Sequence, residues 1–141
     1  MRPTWDVYFL KMSHLVGTRS TCPKCSVGVV LTKDKRVIAT GYNGSPSGMV
    51  HCNDAGCLEH NNHCMRALHA EVNAILQCAE NGISTKGTTL YTSLFPCWNC
   101  SLMLINAGIT RIVYQNDYCD DRGDQYKMLS SVGIQLDKLD E

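Results

Sequence analysis

From Ala67 onward the sequence alternates between helical and extended hydrophobic patterns, with only a few residues between one and the next. A helical pattern runs from about Ala67 to Glu80, with Val72, Ile75, Leu76 and Ala79 on one face, and stops at Asn81-Gly82, a pair suited to a helix C-terminus. TTLYTS at 88–93 reads as a strand, Cys97 to Asn106 as a helix ended by Ala107-Gly108, and RIVY at 111–114 as another strand. A weaker helix from about Asp124 to Ser131 and a last strand, IQLDKL, close the series. Strands and helices joined this tightly predict parallel crossovers, with each helix laid on a face of the sheet.

The first half adds a helix and a hairpin. Thr4 can cap a helix in which Trp5, Tyr8, Phe9, Met12 and Leu15 or Val16 recur at helical spacing, a stripe expected to face the core, and Gly17 is expected to end it. VGVVLT and RVIATGY, separated by the charged KDK turn, read as two antiparallel strands. Together these elements predict an α/β fold of three layers, α/β/α, with a central mixed sheet of about five strands. The 141 residues suit one domain over 1–141, with no repeat and no linker. One stretch breaks the pattern. From Asn43 to about residue 65 the chain holds three glycines, three cysteines and three histidines without a sustained apolar period, and reads as an insertion.

Charge narrows the partners. Thirteen basic and thirteen acidic residues cancel, which argues against a broad surface for nucleic acid and favours a small substrate. A local basic pocket stays open, since Arg19, Lys24, Arg66 and Arg111 can converge within a neutral total. No window approaches the apolar length of a membrane span, and no secretion signal precedes the first helix, so the expected location is cytoplasmic. Nine cysteines then point to metal ligation more than to disulfides, the count being odd and C-x-x-C pairs being present.

Two clusters carry the chemistry. His69 and Glu71 lie at the expected start of one helix, and Pro96, Cys97 and Cys100 at the start of the next. In parallel crossover folds such helix starts gather at one end of the sheet, where sites form. One histidine and two cysteines supply three ligands for zinc and leave a fourth position open, the catalytic pattern, with thiolates favoured by the helix dipole. Residues two apart on a helix project about 200° apart, so Glu71 is expected beside the metal as a proton carrier, not as a ligand. The spacing differs from H-E-x-x-H of zinc peptidases. H-x-E followed by P-C-x-x-C is the signature of zinc nucleobase deaminases, and here it is His69-Ala70-Glu71 with Pro96-Cys97-Trp98-Asn99-Cys100.

At these residues the chain resembles the deoxycytidylate (dCMP) deaminases of phages and bacteria, with the ComE-like proteins, in the zinc-dependent cytidine deaminase superfamily. The likeness includes TRSTC at 18–22, GYNGSPSG at 41–48, CMRALHAEVNAI at 64–75, PCWNC at 96–100 and NAGITRIVY at 106–114. It implies a cytidine deaminase-like fold and zinc-dependent hydrolysis of dCMP to dUMP and ammonia, supplying a thymidylate precursor. The alternatives are another cytosine nucleotide or nucleoside such as dCTP, or a non-catalytic zinc protein on a degenerate deaminase fold. The resemblance also implies that Asn43, Ser20, Arg19, Ala70 and Tyr118 meet the substrate. Gly41, Tyr42, Gly44, Ser45 and Gly48 would meet a dCTP effector with Mg2+, and the chain would form a homo-oligomer, a hexamer in many members. The chain departs at VGVV, where VGAV is usual, and at Ser101-Leu102, where alanine and lysine are common. Ser101 and Leu102 read as tolerated surface or packing changes.

The remaining cysteines suggest a second, structural zinc. Cys22, Cys52, Cys57 and Cys64 are the first choice of ligands, with Cys25, His60 and His63 as further candidates; reduced thiols and a disulfide are the other readings. Cys78 is expected to be a small buried residue, and Cys119 to lie near the site.

Overall fold

The computed structural model describes residues 1–21, 26–50, 59–60, 63–64, 67–117 and 123–140, with the backbone only at 59–60 and 63–64. In chain order the elements are α1 (Trp5–Gly17), β1 (Gly28–Lys33), β2 (Arg36–Tyr42), β3 (Glu59–His60), β4 (His63–Cys64) and α2 (Ala70–Asn81). Then come β5 (Thr89–Leu94), α3 (Trp98–Ala107), β6 (Arg111–Asn116), α4 (Gly123–Ser131) and β7 (Gln135–Lys138). The main sheet has five strands in the order β2-β1-β5-β6-β7. β1 is antiparallel to both β2 and β5, whereas β5, β6 and β7 are parallel. β3 and β4 form a separate antiparallel pair.

The hairpin turn lies at Asp34 and Lys35, both left-handed at φ 52 and 63 as a two-residue primed turn requires. Alternation along the strands then assigns the two faces. Val30, Tyr91 and Val113 meet Phe9 of α1 on one side. Val29, Leu31, Leu90, Ile112 and Tyr114 meet Ala74, Cys78, Leu104 and Leu129 of α2, α3 and α4 on the other. The result is the expected three layers, and each fully buried Leu, Val or Ile stabilises them by about 1.5–3 kcal/mol relative to exposure.

Two helices bury only part of the stripes that their apolar periods suggest: Phe9, Met12 and Val16 of α1 and Ile75 of α2 do face the core. α1 starts as predicted, with the Thr4 hydroxyl accepting from Val7 N at 3.2 Å. It buries Phe9, Leu10, Ser13 and Gly17, leaving Trp5, Tyr8 and Leu15 exposed. Its backbone lies against β1: a Cβ on Gly28 would stand 2.0 Å from Ser13 O and 2.2 Å from Gly17 N. Only a face of small residues fits there. The helix does end at Gly17, which is its last residue and a packing one, with right-handed Thr18 as the cap.

α2 repeats the lesson. It begins at Ala70, not Ala67, and buries Ala70, Glu71, Ala74 and Cys78, while Leu76 and Ala79 are exposed. A Cβ on Gly41 of β2 would stand 2.3 Å from Ala70 O and 2.7 Å from Ala74 N. This approach selects the small residues of the helix and brings its first turn down onto the sheet. Among the described residues no helix is long and apolar enough to cross a membrane.

Candidate metal centre

The chain reaches α2 through a fixed point. Leu68 and Gly44 exchange both backbone hydrogen bonds, at 2.8 and 3.1 Å, so the loop after β2 holds the residue before His69. His69 is the N-cap of α2, extended at φ −69 and ψ 153, and its side chain makes no capping hydrogen bond. It therefore stands ahead of the helix, and the expected 200° separation from Glu71 does not apply. Glu71, in the first turn, is 4% exposed.

The second half of the centre follows β5. Phe95 is buried with its ring edge-on to Tyr114 and Tyr126, at centroid distances of 4.7 and 5.0 Å. Pro96 then leads to Cys97, the N-cap of α3 at φ −70 and ψ 171. Its sulfur takes the place of a capping oxygen, accepting from Cys100 N at 3.4 Å. Because β5 and β6 are parallel with a crossover between them, α3 starts at the same end of the sheet as α2.

There His69 Nδ1 lies 3.5 Å from Cys97 Sγ and 3.4 Å from Cys100 Sγ. Tetrahedral zinc, with nitrogen at about 2.0–2.1 Å and sulfur at about 2.3 Å, separates these ligand atoms by about 3.6 Å. The donor set and its spacing fit a zinc ion, and the three residues form a His/Cys metal-binding cluster. Three protein ligands leave one tetrahedral position for a further molecule.

The charges at the cluster are interdependent. A hydrogen bond from Cys100, helped by His69, pushes the Cys97 thiol down to about 4, and the reciprocal bond with Cys97 together with burial pushes Cys100 up. His69 is raised, first by its hydrogen bond to Cys97. Burial pushes the Glu71 carboxyl up to about 7, against the pull of its own backbone N–H and of His69. A bound cation would remove the proton shared between the thiols and favour both as thiolates.

The other candidates are spread around this centre. Asn43, 7% exposed, accepts from Val27 N through Oδ1 at 2.9 Å, and its carbonyl accepts from Ser20 Oγ at 2.9 Å. Asn43 and Ser20 thus meet beside the Gly44–Leu68 bridge, while Arg19 is exposed. Tyr42 O accepts from Asn73 Nδ2 at 2.8 Å, tying β2 to α2, and Ala70 is buried at the Gly41 contact. Gly48 has φ 87. Tyr118, Cys119, Lys24, Arg66, Cys22, Cys25, Cys52 and Cys57 lie outside the described residues, as do the side chains of His60, His63 and Cys64.

The structure decides two readings that the sequence leaves open. Arg111 opens β6 at the opposite end of the sheet and pairs there with Asp6 and Asp137, so it does not join a basic pocket at the metal centre. Of the two readings of Ser101, surface or packing, the structure selects packing: it is fully buried and donates through Oγ to Cys97 O at 3.0 Å. Gln125, which sequence reasoning passed over, donates to Pro96 O and Ser101 Oγ. A polar residue in a weakly amphipathic helix gives no sign of such a partner.

The chain matches the family model "Cytidine and deoxycytidylate deaminase zinc-binding region" over residues 3–116. ComE operon protein 2 of Bacillus subtilis (strain 168) is 50% identical over 117 residues, 83% of this chain and 62% of that protein. Deoxycytidylate deaminase of Saccharomyces cerevisiae is 39% identical over 140 residues, 95% of this chain and 44% of that protein. The chain therefore spans less than two thirds of the length of these relatives. The crystal structure of dCMP deaminase from the cyanophage S-TIM5, in complex with dCMP and dUMP, superposes with a TM-score of 0.84 at 30% identity, covering 99% of each chain. With the motif, the cluster and the fold in agreement, this chain belongs to the zinc-dependent cytidine and deoxycytidylate deaminase family.

Proposed function

We propose that this protein is a zinc-dependent hydrolase that converts dCMP to dUMP and ammonia. The observation that carries the reading is the convergence of His69 Nδ1, Cys97 Sγ and Cys100 Sγ beside the buried carboxyl of Glu71. The cyanophage enzyme of the same fold, crystallised with dCMP and dUMP, supports the choice of substrate. His69, Cys97 and Cys100 would hold the zinc, and when bound it supplies the Lewis acidity that makes water a nucleophile near neutral pH.

Glu71 moves the protons. Water adds at C4 of the cytosine ring, and Glu71 takes its proton and delivers it to N3. Glu71 then carries a second proton to the exocyclic amine, which leaves as ammonia, so that one water is consumed and uracil remains. Its burial keeps bulk water from competing for that proton. Asn43 and Ser20 would meet the sugar and the phosphate side, with Arg19, Ala70 and Tyr118 completing the pocket. Asn offers a donor and an acceptor, and Arg binds phosphate as a fork.

The same reading places an effector, dCTP with Mg2+, at Gly41, Tyr42, Gly44, Ser45 and Gly48. Its support is that Ser45 Oγ and Thr21 Oγ1 are buried without a hydrogen-bond partner among the described residues. A second zinc on Cys22, Cys52, Cys57 and Cys64 rests on their number and their place in the insertion. A hexamer in the cytoplasm completes it, the exposed Trp5, Tyr8 and Leu15 offering apolar surface for assembly.

The test is ammonia release from dCMP by purified, metal-quantified protein, run beside dCTP, deoxycytidine and CMP, with and without dCTP at low substrate. dCMP is expected to be turned over fastest. Glu71→Ala is expected to keep its zinc and lose about 10²–10⁴ in turnover. Near-normal turnover in that variant would end the assignment of Glu71.

A further inference from the structure

Gln125 stands in the first turns of α4 with 2% of its surface exposed. An amide buried this deeply is unfavourable unless its N–H groups are matched. Nε2 carries two hydrogens and meets two acceptors, Pro96 O at 2.7 Å and Ser101 Oγ at 2.6 Å. Ser101 passes the contact on: its Oγ and its backbone N both donate to Cys97 O, at 3.0 and 2.9 Å. The neighbouring Tyr126 packs its ring against Phe95, so two consecutive residues of α4 grip the turn that leads to Cys97.

The carbonyls involved have a particular meaning. Pro96 O belongs to the rigid peptide plane before Cys97, and Cys97 O to the plane after it. The relative setting of these two planes is the φ and ψ of Cys97, and that setting directs its side chain. We propose that Gln125 is a positioning residue for the metal centre. By holding the first plane directly and the second through Ser101, it keeps Cys97 Sγ aimed at the position it shares with His69 and Cys100. No hydrogen bond among the described residues joins it to either thiol. The proposal rests on the zinc reading of that cluster, and it gives a role to Ser101, which is buried with both hydrogen-bonding roles of its hydroxyl used.

The test follows zinc release. Zinc-loaded protein is mixed with a chromophoric chelator in excess, well below the unfolding temperature, and the visible absorption of the cobalt-substituted protein is recorded beside it. Gln125→Met, which keeps the length and removes the amide, is expected to release zinc about 10–100-fold faster and to shift the cobalt bands. Ser101→Ala, which keeps the backbone bond to Cys97 O and the Gln125 contact with Pro96, is expected to release it a few-fold faster. The double variant should match Gln125→Met, because both changes cut one relay. Unchanged release and an unchanged cobalt spectrum in Gln125→Met, with only a lower unfolding temperature, would reduce Gln125 to a packing residue and overturn the proposal. Should Gln125→Met fail to fold, Ser101→Ala decides: faster release supports the relay and unchanged release overturns it. A parent protein that retains no zinc would overturn the metal reading itself, a separate failure.

Discussion

The two ends of the sheet both hold partly buried polar side chains drawn from distant segments, yet they are built on opposite principles. At the end where β6 begins, Arg111 donates from Nη1 and Nη2 to the two oxygens of Asp6, at 2.9 and 2.8 Å, and from Nε to Asp137 at 2.7 Å. Tyr91 donates to Asp6 at 2.7 Å. Cation there faces anion, and donor faces acceptor. At the other end His69, Cys97 and Cys100 turn three ligand atoms toward one another, beside a fourth titratable group, Glu71. These groups meet through hydrogen bonds among sulfur and imidazole, and the gathering becomes more favourable when a cation enters. The first end joins α1, β6 and β7; the second is prepared for a ligand.

The two ends should respond to different insults. The largest effect belongs to the ligands. Cys97→Ala or Cys100→Ala should weaken zinc retention by more than about 100-fold and remove turnover, as read by metal content after gel filtration. Chelation of the parent protein should imitate this and lower its unfolding temperature, in proportion to the binding free energy lost.

At the opposite end, Arg111→Met should leave zinc release unchanged and cost about 2–3 kcal/mol in urea unfolding, since it removes charge-assisted bonds and strands two carboxylates. Faster zinc release in that variant would show the ends to be coupled after all. The smallest effect is one of pH. Arg111 beside Asp6 holds its carboxyl below the usual carboxylate range, so the ionised form favours the folded state. That contribution is fully present above the unfolded value, near 4, and fades as pH falls through the lower folded value. Asp6→Asn should therefore lower the unfolding temperature modestly at neutral pH and flatten its fall below about pH 4. An acid limb identical to that of the parent would show that the pair contributes nothing measurable.

How far these features were legible varies with their range. H-x-E and P-C-x-x-C could be read because each lies within a few residues and at a helix start marked by its own local signs. The same holds for the C-terminal glycines, Gly82 at φ 68 and Gly108 at φ 85. The faces of α1 and α2 follow their apolar periods only in part, for a definite reason. Apolar periodicity ranks residues by hydrophobicity, but Gly28 and Gly41 bring strand and helix backbones so close that size decides, and Ser13, Gly17, Ala70 and Ala74 win over Trp5, Tyr8 and Leu76. Gln125 carries no local sign, and Ser101 stands out only as a departure from the family pattern, because their value lies in one another, across 24 residues.

By itself, then, the sequence determined the alternation of elements, the end of the sheet where two helices begin, and the three residue types that suit zinc, all through periods and caps that act over a few residues. Only the tertiary structure decided that His69 caps its helix from outside, that Arg111 belongs to the far end, and that an amide on α4 holds the turn at Cys97. Those choices depend on how closely two elements can approach and on which polar groups meet across the gap, and neither is written in any local stretch of the chain.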